Sequence, residues 1–234
     1  MPRIAIVAAL EREVRPLVKK WKVQDWEHEG RRFRFFQKDE TVLVCGGVGA
    51  AAARRAAEAV IAHFHPGLIY SVGFAGALDP ALKIANLLRP GRVINAGDGS
   101  STDVEGGIGV LVSFGSVASP EQKATLRDSF GAQAVDMESA AVARAAEARE
   151  VPFSAVKVVS DEVDFEVPAM DRFVDSGGRF SEGRFAMHAA IRPWLWPRVI
   201  RLAKNSKRAS RVLCTYLEKL VSVSATTISK TRSV

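Results

Sequence analysis

Short apolar runs rich in β-branched residues alternate along the chain with segments whose apolar residues recur at helical spacing. Strands that alternate with helices pack as a sheet with substantial parallel character, and helices cover both of its faces. This alternation therefore predicts a single α/β domain with a central mixed, largely parallel sheet flanked by helices. The predicted strands are residues 3–9, 68–72, 134–137 and 153–160, and the predicted helices are residues 50–65, 119–128 and 138–149.

Weaker patterns complete the predicted order of elements. Apolar runs on either side of a polar turn are typical of a hairpin. Strand-like runs separated by glycine, serine and aspartate are typical of strands joined by a loop. Beyond residue 160 we expect mostly helix. The segments are a hairpin at residues 32–37 and 41–46, strands at 87–96 and 108–114 with a loop at 97–107 between them, and a loop at 175–183.

The length and composition fit one globular domain, because 234 residues with 47% hydrophobic and 25% charged side chains can bury a core. The net charge of +7 is concentrated after residue 197 and does not extend over the whole chain. We expect no specific nucleic-acid partner on this basis. We expect residues 1–190 to form the main domain, residues 191–221 a basic amphipathic helix packed on or extending it, and residues 222–234 a frayed tail.

Several absences bear on location and cofactors. Charged residues at positions 11–13 interrupt the first apolar run, which is not typical of a signal peptide. Cys45 and Cys214 match neither a metal motif nor a disulfide framework, and the four histidines show no ligand spacing. We expect a cytoplasmic protein that uses no metal and no cofactor.

The predicted sheet also indicates where a ligand would bind. In open α/β sheets, ligands bind beyond the carboxyl ends of the strands. Carboxylates, glycine turns and a serine follow the predicted strands at those ends. The segments are residues 10–13, 46–49, 73–76, 137–138 and 160–161.

Five motifs carry a family resemblance: ALEREV at residues 9–14, GGVG at 46–49, GFAGAL at 73–78, AVDMESA at 134–140 and VVSD at 158–161. Together they resemble the purine nucleoside phosphorylase and nucleosidase superfamily. They are most similar to 5′-methylthioadenosine/S-adenosylhomocysteine nucleosidases and to phosphorylase-like proteins of hopanoid synthesis. The resemblance spans about residues 3–165. It implies cleavage of the N-glycosidic bond of a 5′-substituted adenosine, with release of adenine.

The chemistry of that reaction suits the residues. Cleavage builds positive charge on the sugar and negative charge on the leaving base. The resemblance implies that Glu138 accepts hydrogen bonds from the ribose hydroxyls and that Met137 forms an apolar floor beneath the sugar. It also implies that Asp161, oriented by Ser160, donates a proton to purine N7. Glu13 would order the attacking water, which favours hydrolysis, with phosphorolysis as the alternative.

Three of the candidate site residues depart from the family pattern. Phe74 replaces a small hydroxyl residue in the glycine loop, and Lys157 replaces an arginine beside the nucleophile, which loses the bidentate fork. Val117 replaces an aromatic residue that would stack on the purine. The nucleophile-site loop residues are Gly47, Gly49, Phe74 and Lys157, and the residues expected to bind or orient the base are Ser160, Gly76 and Val117.

The segment of residues 86–114 is about half the length that the resemblance implies, which suggests an open pocket suited to a bulky or lipid 5′ group. Trp194 and Trp196, followed by a basic helix, are typical of a peripheral membrane contact. The competing interpretation is that both tryptophans pack onto the domain above a solvated basic face. We also expect a homo-oligomer. A nucleoside-binding protein without turnover is the alternative function that Phe74, Val117 and the shortened segment suggest.

Overall fold

The computed structural model of the chain describes residues 4–168, 171–175 and 177–231. Within these residues one mixed sheet of 11 strands is flanked by α-helices. Its strands are β1 (Ile4–Ala8), β2 (Lys22–His28), β3 (Arg31–Lys38), β4 (Thr41–Cys45), β5 (Leu68–Ala77), β6 (Leu87–Leu88), β7 (Arg92–Asn95), β8 (Ser101–Asp103), β9 (Val110–Ser113), β10 (Ala134–Asp136) and β11 (Phe153–Asp161). The helices are α1 (Glu11–Val18), α2 (Ala50–Phe64), α3 (Pro120–Phe130), α4 (Ser139–Glu147), α5 (Glu182–Ala190) and α6 (Trp196–Thr231).

The inner strands run mostly parallel. The strand order is β2-β3-β4-β1-β5-β10-β9-β7-β8, and β11 pairs with both β5 and β6. Strand β1 is parallel to β4 and β5, β5 is parallel to β11, and β9 is parallel to β7 and β10. Antiparallel pairs occur at the edges and where β5 meets β10. The predicted mixed, largely parallel α/β sheet is confirmed.

Alternating residues of β1 face two different cores, because successive side chains of a strand point to opposite faces. Ala5 and Val7 pack with the alanine-rich helices α2 and α4. Ile6 and Ala8 pack with α1 and α6 on the other face. Residues on both faces of this central strand are therefore buried, and its carboxyl end is fixed in position.

Helix α6 belongs to the core. Its buried residues recur every three or four positions, as they do on one face of a helix. Ser210 Oγ donates a hydrogen bond of 2.8 Å to the backbone oxygen of Glu13 in α1. Helix α6 continues to Thr231, past the point where the sequence suggested a frayed tail, and residues 232–234 lie outside the described residues. The buried residues are Asn205, Ala209, Ser210, Leu213, Cys214, Leu217 and Val221.

The remaining elements differ in detail from the prediction. Strand β2, which was not predicted, is an edge strand whose side chains are mostly exposed, so it shows no alternation of buried residues. Strand β5 continues through the glycine loop to Ala77 because β10 and β11 both pair with it there. The predicted strand at residues 87–96 is divided into β6 and β7, and β8 lies within the predicted loop. The hairpin of β3 and β4 is confirmed.

Candidate active site

The structure brings most of the predicted site residues to one cavity of about 180 Å³ beyond the strand ends. The lining comes from the start of α1, from β5, from the turn after β10 and from the end of β11. Residues of the loop before α3 and of α6 close the remaining sides. The predicted residues in this lining are Glu13, Phe74, Gly76, Val117, Met137, Glu138, Ser160 and Asp161.

Glu13 is buried in the first turn of α1. Its Oε2 atom accepts no hydrogen bond from the described residues. Burial first, and then the neighbouring Glu138 carboxylate, raises the pKa of Glu13 from 4.5 to about 7. A carboxylate that gains and loses its proton near neutrality, with one oxygen available, suits a general base.

Gly73 allows the carboxylate of Glu13 to approach the sheet. A Cβ atom at this position would lie 2.9 Å from Glu13 Oε2 and 3.8 Å from Lys157 Nζ, and Gly73 has a φ of +147°. Any side chain here would collide with the carboxylate and strain the backbone. The first glycine of the GFAG loop therefore has a steric role beside Glu13.

Lys157 lies beneath the cavity and not in its lining. It is 1% exposed, and its Nζ is 2.9 Å from Asp136 Oδ2. Burial alone would lower the pKa of Lys157, but the Asp136 and Glu138 carboxylates outweigh it and raise that pKa. Lys157 thus offsets part of the negative charge of these two buried acids, which line the cavity.

Asp136 is a site residue that lies within the AVDMESA motif, and no role was predicted for it from the sequence. Ser113 Oγ donates to Asp136 Oδ1 at 2.5 Å, and the backbone NH of Ser139 donates to Oδ2 at 3.0 Å. Burial alone would raise the pKa of Asp136, but the Lys157 cation and these hydrogen bonds lower it. This anchored carboxylate fixes the turn from β10 to α4, which carries Met137 and Glu138.

Glu138 is held by backbone NH groups. Gly49 N donates to its Oε1 at 2.8 Å, and Met137 N donates to its Oε2 at 3.3 Å. Burial, followed by the Asp136 carboxylate, raises the pKa of Glu138. Gly49, in the predicted nucleophile-site loop, thus contacts a cavity residue without lining the cavity itself. In the same loop, a Cβ atom at Gly47 would lie 2.6 Å from the backbone oxygen of Gly178.

Asp161 is flanked by two side chains at the end of β11. Ser160 Oγ donates to Asp161 Oδ1 at 2.8 Å, and the orienting role of Ser160 stays a prediction. On the other oxygen, Lys123 Nζ donates to Asp161 Oδ2 at 2.5 Å. A Cβ atom at Gly76 would lie 2.8 Å from the same Oδ2 atom, so glycine is needed for this approach.

Lys123 is the functional candidate that sequence reasoning missed. It lies in α3, whose capping box of Ser119 and Gln122 confirms the predicted helix start. Lys123 and Leu126 are the buried residues of this helix, three positions apart. That spacing places Lys123 on the same inner face of α3 as Leu126. It is the pattern in the sequence that could have indicated a buried lysine.

The cavity continues into a groove of about 810 Å³ between α1 and α6, with Phe185 from α5. The two spaces share Arg12, Phe74, Leu202 and Ser206. The groove, named here the α1–α6 groove, has an apolar floor and a cationic rim. Its apolar residues include Phe74, Phe185, Val199, Leu202 and Ala203, and its cationic residues are Arg12, Arg15, Lys19, Lys207 and Arg211.

The tryptophan pair lies away from the cavity. Trp194 is 70% exposed and Trp196 is 49% exposed, and neither lines the cavity or the α1–α6 groove. Trp196 Nε1 donates to the backbone oxygen of Ala189 at 2.9 Å. In the part of the chain that the structure describes, no helix combines the length and apolar character needed to cross a membrane.

The sequence of the chain also matches a known protein family. The model of the Phosphorylase superfamily matches residues 3–120 and 108–189. The chain belongs to this superfamily.

Two curated proteins and one solved structure illustrate the similarity within the superfamily. A 5′-methylthioadenosine/S-adenosylhomocysteine nucleosidase of Staphylococcus carnosus is 28% identical over 218 residues, which cover 76% of this chain and 95% of the relative. An aminodeoxyfutalosine nucleosidase of Campylobacter jejuni is 26% identical over 223 residues, which cover 77% of this chain and 95% of the relative. The crystal structure of a Helicobacter pylori 5′-methylthioadenosine/S-adenosylhomocysteine nucleosidase has a TM-score of 0.71 at 18% identity and covers 94% of this chain and 98% of its own. That structure supports the same fold.

Proposed function

We propose that the chain hydrolyses the N-glycosidic bond of a 5′-substituted adenosine and releases adenine. The observation that carries this proposal is that Glu13, Glu138 and Asp161 line one cavity although they are far apart in the sequence. The similarity to two curated nucleosidases supports the same reaction class.

On the sugar side, Glu138 accepts hydrogen bonds from the ribose hydroxyls. Its two oxygens already accept from Gly49 N and Met137 N, and each carboxylate oxygen has a second lone pair for a hydroxyl. The Met137 thioether lies beside the sugar. Because backbone donors fix its carboxylate, Glu138 is already oriented before the substrate arrives.

On the opposite face of the sugar, Glu13 accepts a proton from the attacking water. Its pKa of about 7 makes the ionised form available at and above neutral pH. Water is favoured over phosphate because a phosphate dianion would be repelled by Glu13 and Glu138, and Lys157 already pairs with Asp136. Phosphorolysis remains the alternative that the assay below separates.

On the base side, Asp161 passes a proton to purine N7 while Ser160 holds its other oxygen. Gly76 and Val117 border the base, and neither has a polar side chain. Val117 gives a smaller contact area than an aromatic side chain, which lowers the stacking energy and leaves room around the purine.

The 5′ end of the substrate extends into the α1–α6 groove. Its apolar floor and its continuity with the cavity support a bulky apolar 5′ group, including a lipid-linked nucleoside of the kind used in hopanoid synthesis. A methylthio or homocysteinyl group would fill only part of this volume.

Peripheral membrane contact of a cytoplasmic protein is part of the proposal. Met187, Ile191, Trp194, Trp196 and Ile200 are exposed near the start of α6. Apolar side chains beside a basic helix suit the surface of an anionic bilayer. We also propose a homo-oligomer, whose interface would cover the 91% exposed Ile108 of the shortened segment.

Chromatography of free adenine tests the reaction. The substrates are 5′-methylthioadenosine, S-adenosylhomocysteine and an adenosine with a long apolar 5′ chain, each with and without phosphate. We expect adenine from at least one substrate in the absence of phosphate, with the highest kcat/KM for the long-chain substrate. Strict phosphate dependence would contradict the role of Glu13. Tight adenosine binding without turnover of any substrate would favour the inactive nucleoside-binding alternative.

Co-sedimentation with vesicles tests the membrane contact. The wild-type chain should sediment with phosphatidylglycerol vesicles and less with phosphatidylcholine vesicles. Replacing Trp194 and Trp196 together by serine should weaken the first interaction, whereas Trp26→Ser, which changes an indole in β2, should not. Equal sedimentation of all three proteins would refute a role for the tryptophan pair.

A further inference from the structure

Lys123 is a buried cation at the base end of the cavity. Its side chain is 2% exposed and lines the same cavity as Asp161. Its Nζ donates to Asp161 Oδ2 at 2.5 Å and to the backbone oxygen of Glu162 at 2.7 Å. Both acceptors belong to the end of β11 and the residue that follows it. The ammonium group is therefore fixed against the carboxylate that faces the purine.

This placement is costly for a merely structural residue. Transferring an ammonium group from water to a protein interior costs several kcal/mol, and a buried ion pair often adds no more stability than apolar side chains of similar volume. Leu126, the other buried residue of α3, shows that an apolar side chain is accepted on this face. The ion pair at the cavity wall thus calls for a role in the chemistry.

The ion pair places a second group that carries protons beside the carboxyl group at the end of β11. The ammonium of Lys123 carries protons, and it already donates a hydrogen bond to Asp161 Oδ2. Both side chains line the cavity, and this hydrogen bond joins them.

We propose that Lys123 is a positioning residue that holds the proton delivered through Asp161 to the purine, an inference that rests on the proposed nucleosidase function. A proton passes from Lys123 Nζ to the Asp161 carboxylate and on to N7, while the electron pair of the C1′–N9 bond passes to the base. The attacking water forms the C1′–O bond and gives a proton to Glu13. Exchange with solvent then reprotonates Lys123 and deprotonates Glu13, so that protons and charge balance.

The pH dependence of Lys123 variants distinguishes this role from simple fixation of Asp161. In Lys123→Met no ammonium group supplies the proton for N7, so this proton must come from solvent, and the supply of protons from solvent falls as the pH rises. We expect kcat to fall at least about 100-fold relative to wild type at pH 8, in the range that general acids contribute. At pH 5 the deficit, which is the loss of kcat relative to wild type, should be at least tenfold smaller than at pH 8. KM should change by less than about threefold.

A second variant and two controls keep the test decisive. Lys123→Gln retains a hydrogen-bond donor for Asp161 but carries no transferable proton, and it replaces Lys123→Met if thermal unfolding shows that the methionine variant does not fold. Asp161→Asn should be inactive at both pH values. Lys22→Met removes an exposed lysine of β2 and should match wild type.

The possible outcomes separate the two proposals. A deficit that is equal at pH 5 and pH 8, or a Lys123→Gln variant within about threefold of wild type at both, would overturn the proton-holding role while the nucleosidase function stands. If the wild-type chain releases no adenine at all, both proposals fail together. A deficit that shrinks at low pH in a folded variant supports the role of Lys123.

Discussion

Replacing Glu13 by glutamine should remove activity and yet stabilise the fold at alkaline pH. Glu13 is 6% exposed and carries a carboxyl group whose pKa is raised from 4.5 to about 7, chiefly by burial. Such a group stabilises the fold below its unfolded-state pKa, and this stabilisation is lost as the pH rises through the folded-state pKa. Glutamine keeps the shape and does not titrate.

The size of the effect follows from the shift. The folded and unfolded pKa values differ by about 2.5 units, and each unit corresponds to about 1.4 kcal/mol. Between pH 4.5 and pH 8, the free energy of unfolding of wild type should therefore fall by about 3 kcal/mol relative to that of Glu13→Gln. Over the same range, kcat of wild type should rise with pH through about 7, because the base must be ionised.

Urea unfolding of both proteins at pH 4.5 and pH 8 measures this difference. Glu11→Gln is the matched control, since Glu11 is an exposed carboxylate in the same helical turn and should show no such pH-dependent gain. Adenine release by Glu13→Gln should fall at least about 100-fold at pH 8. A stability difference between wild type and Glu13→Gln that is the same at both pH values would refute the assignment of Glu13 as a buried base.

Three further substitutions test the rest of the site. Glu138→Gln should lower kcat/KM about 10- to 100-fold, because hydrogen bonds to a charged acceptor contribute about 1.5–3 kcal/mol. With a 2′,3′-dideoxy substrate, which lacks the two ribose hydroxyls, the variant and wild type should have the same kcat/KM. Gly76→Ala should lower kcat at least tenfold by displacing Asp161, whereas Gly183→Ala, whose Cβ atom would meet nothing within 4 Å, should leave it unchanged. Lys157→Met should destabilise the fold by about 3–5 kcal/mol in urea unfolding, because a buried carboxylate loses its ion pair.

The sequence predicted the position of the cavity because a general rule governs it. Strands β1, β5 and β11 are parallel, and carboxyl ends of parallel strands meet at one edge of a sheet, so the residues after β1 and at the end of β11 had to lie near one another. Met137 and Glu138 follow β10, which is antiparallel to β5, and they join the site because β10 pairs with the last residues of β5. Local patterns also predicted α3 and its start, since an N-cap serine followed by proline at the first helical position depends only on residues close in the chain.

The ion pairs of the site could not be predicted in the same way. Lys157 is the only basic residue of β11 and indicates a buried acidic partner, but Asp136 belongs to β10, which is not paired with β11. Lys123 meets Asp161 only because α3 packs beside the cavity. Such contacts depend on how helices pack against the sheet, and one sequence shows no pattern that specifies it.

Edge strand β2 is a part of the fold that the sequence likewise did not predict. Its side chains are mostly exposed, and its position depends on antiparallel pairing with β3 and not on burial of one face. Because alternation of apolar and polar residues reports burial, a strand without a buried face shows little of it.

The most direct test of the proposed function is the rate of adenine release from 5′-substituted adenosines by the wild-type chain in phosphate-free buffer at pH 8, compared with Asp161→Asn. We expect stoichiometric adenine and free sugar from wild type and a rate at least about 100-fold lower from the variant. Adenine release that Asp161→Asn leaves unchanged, or no release by the folded wild-type chain, would contradict it.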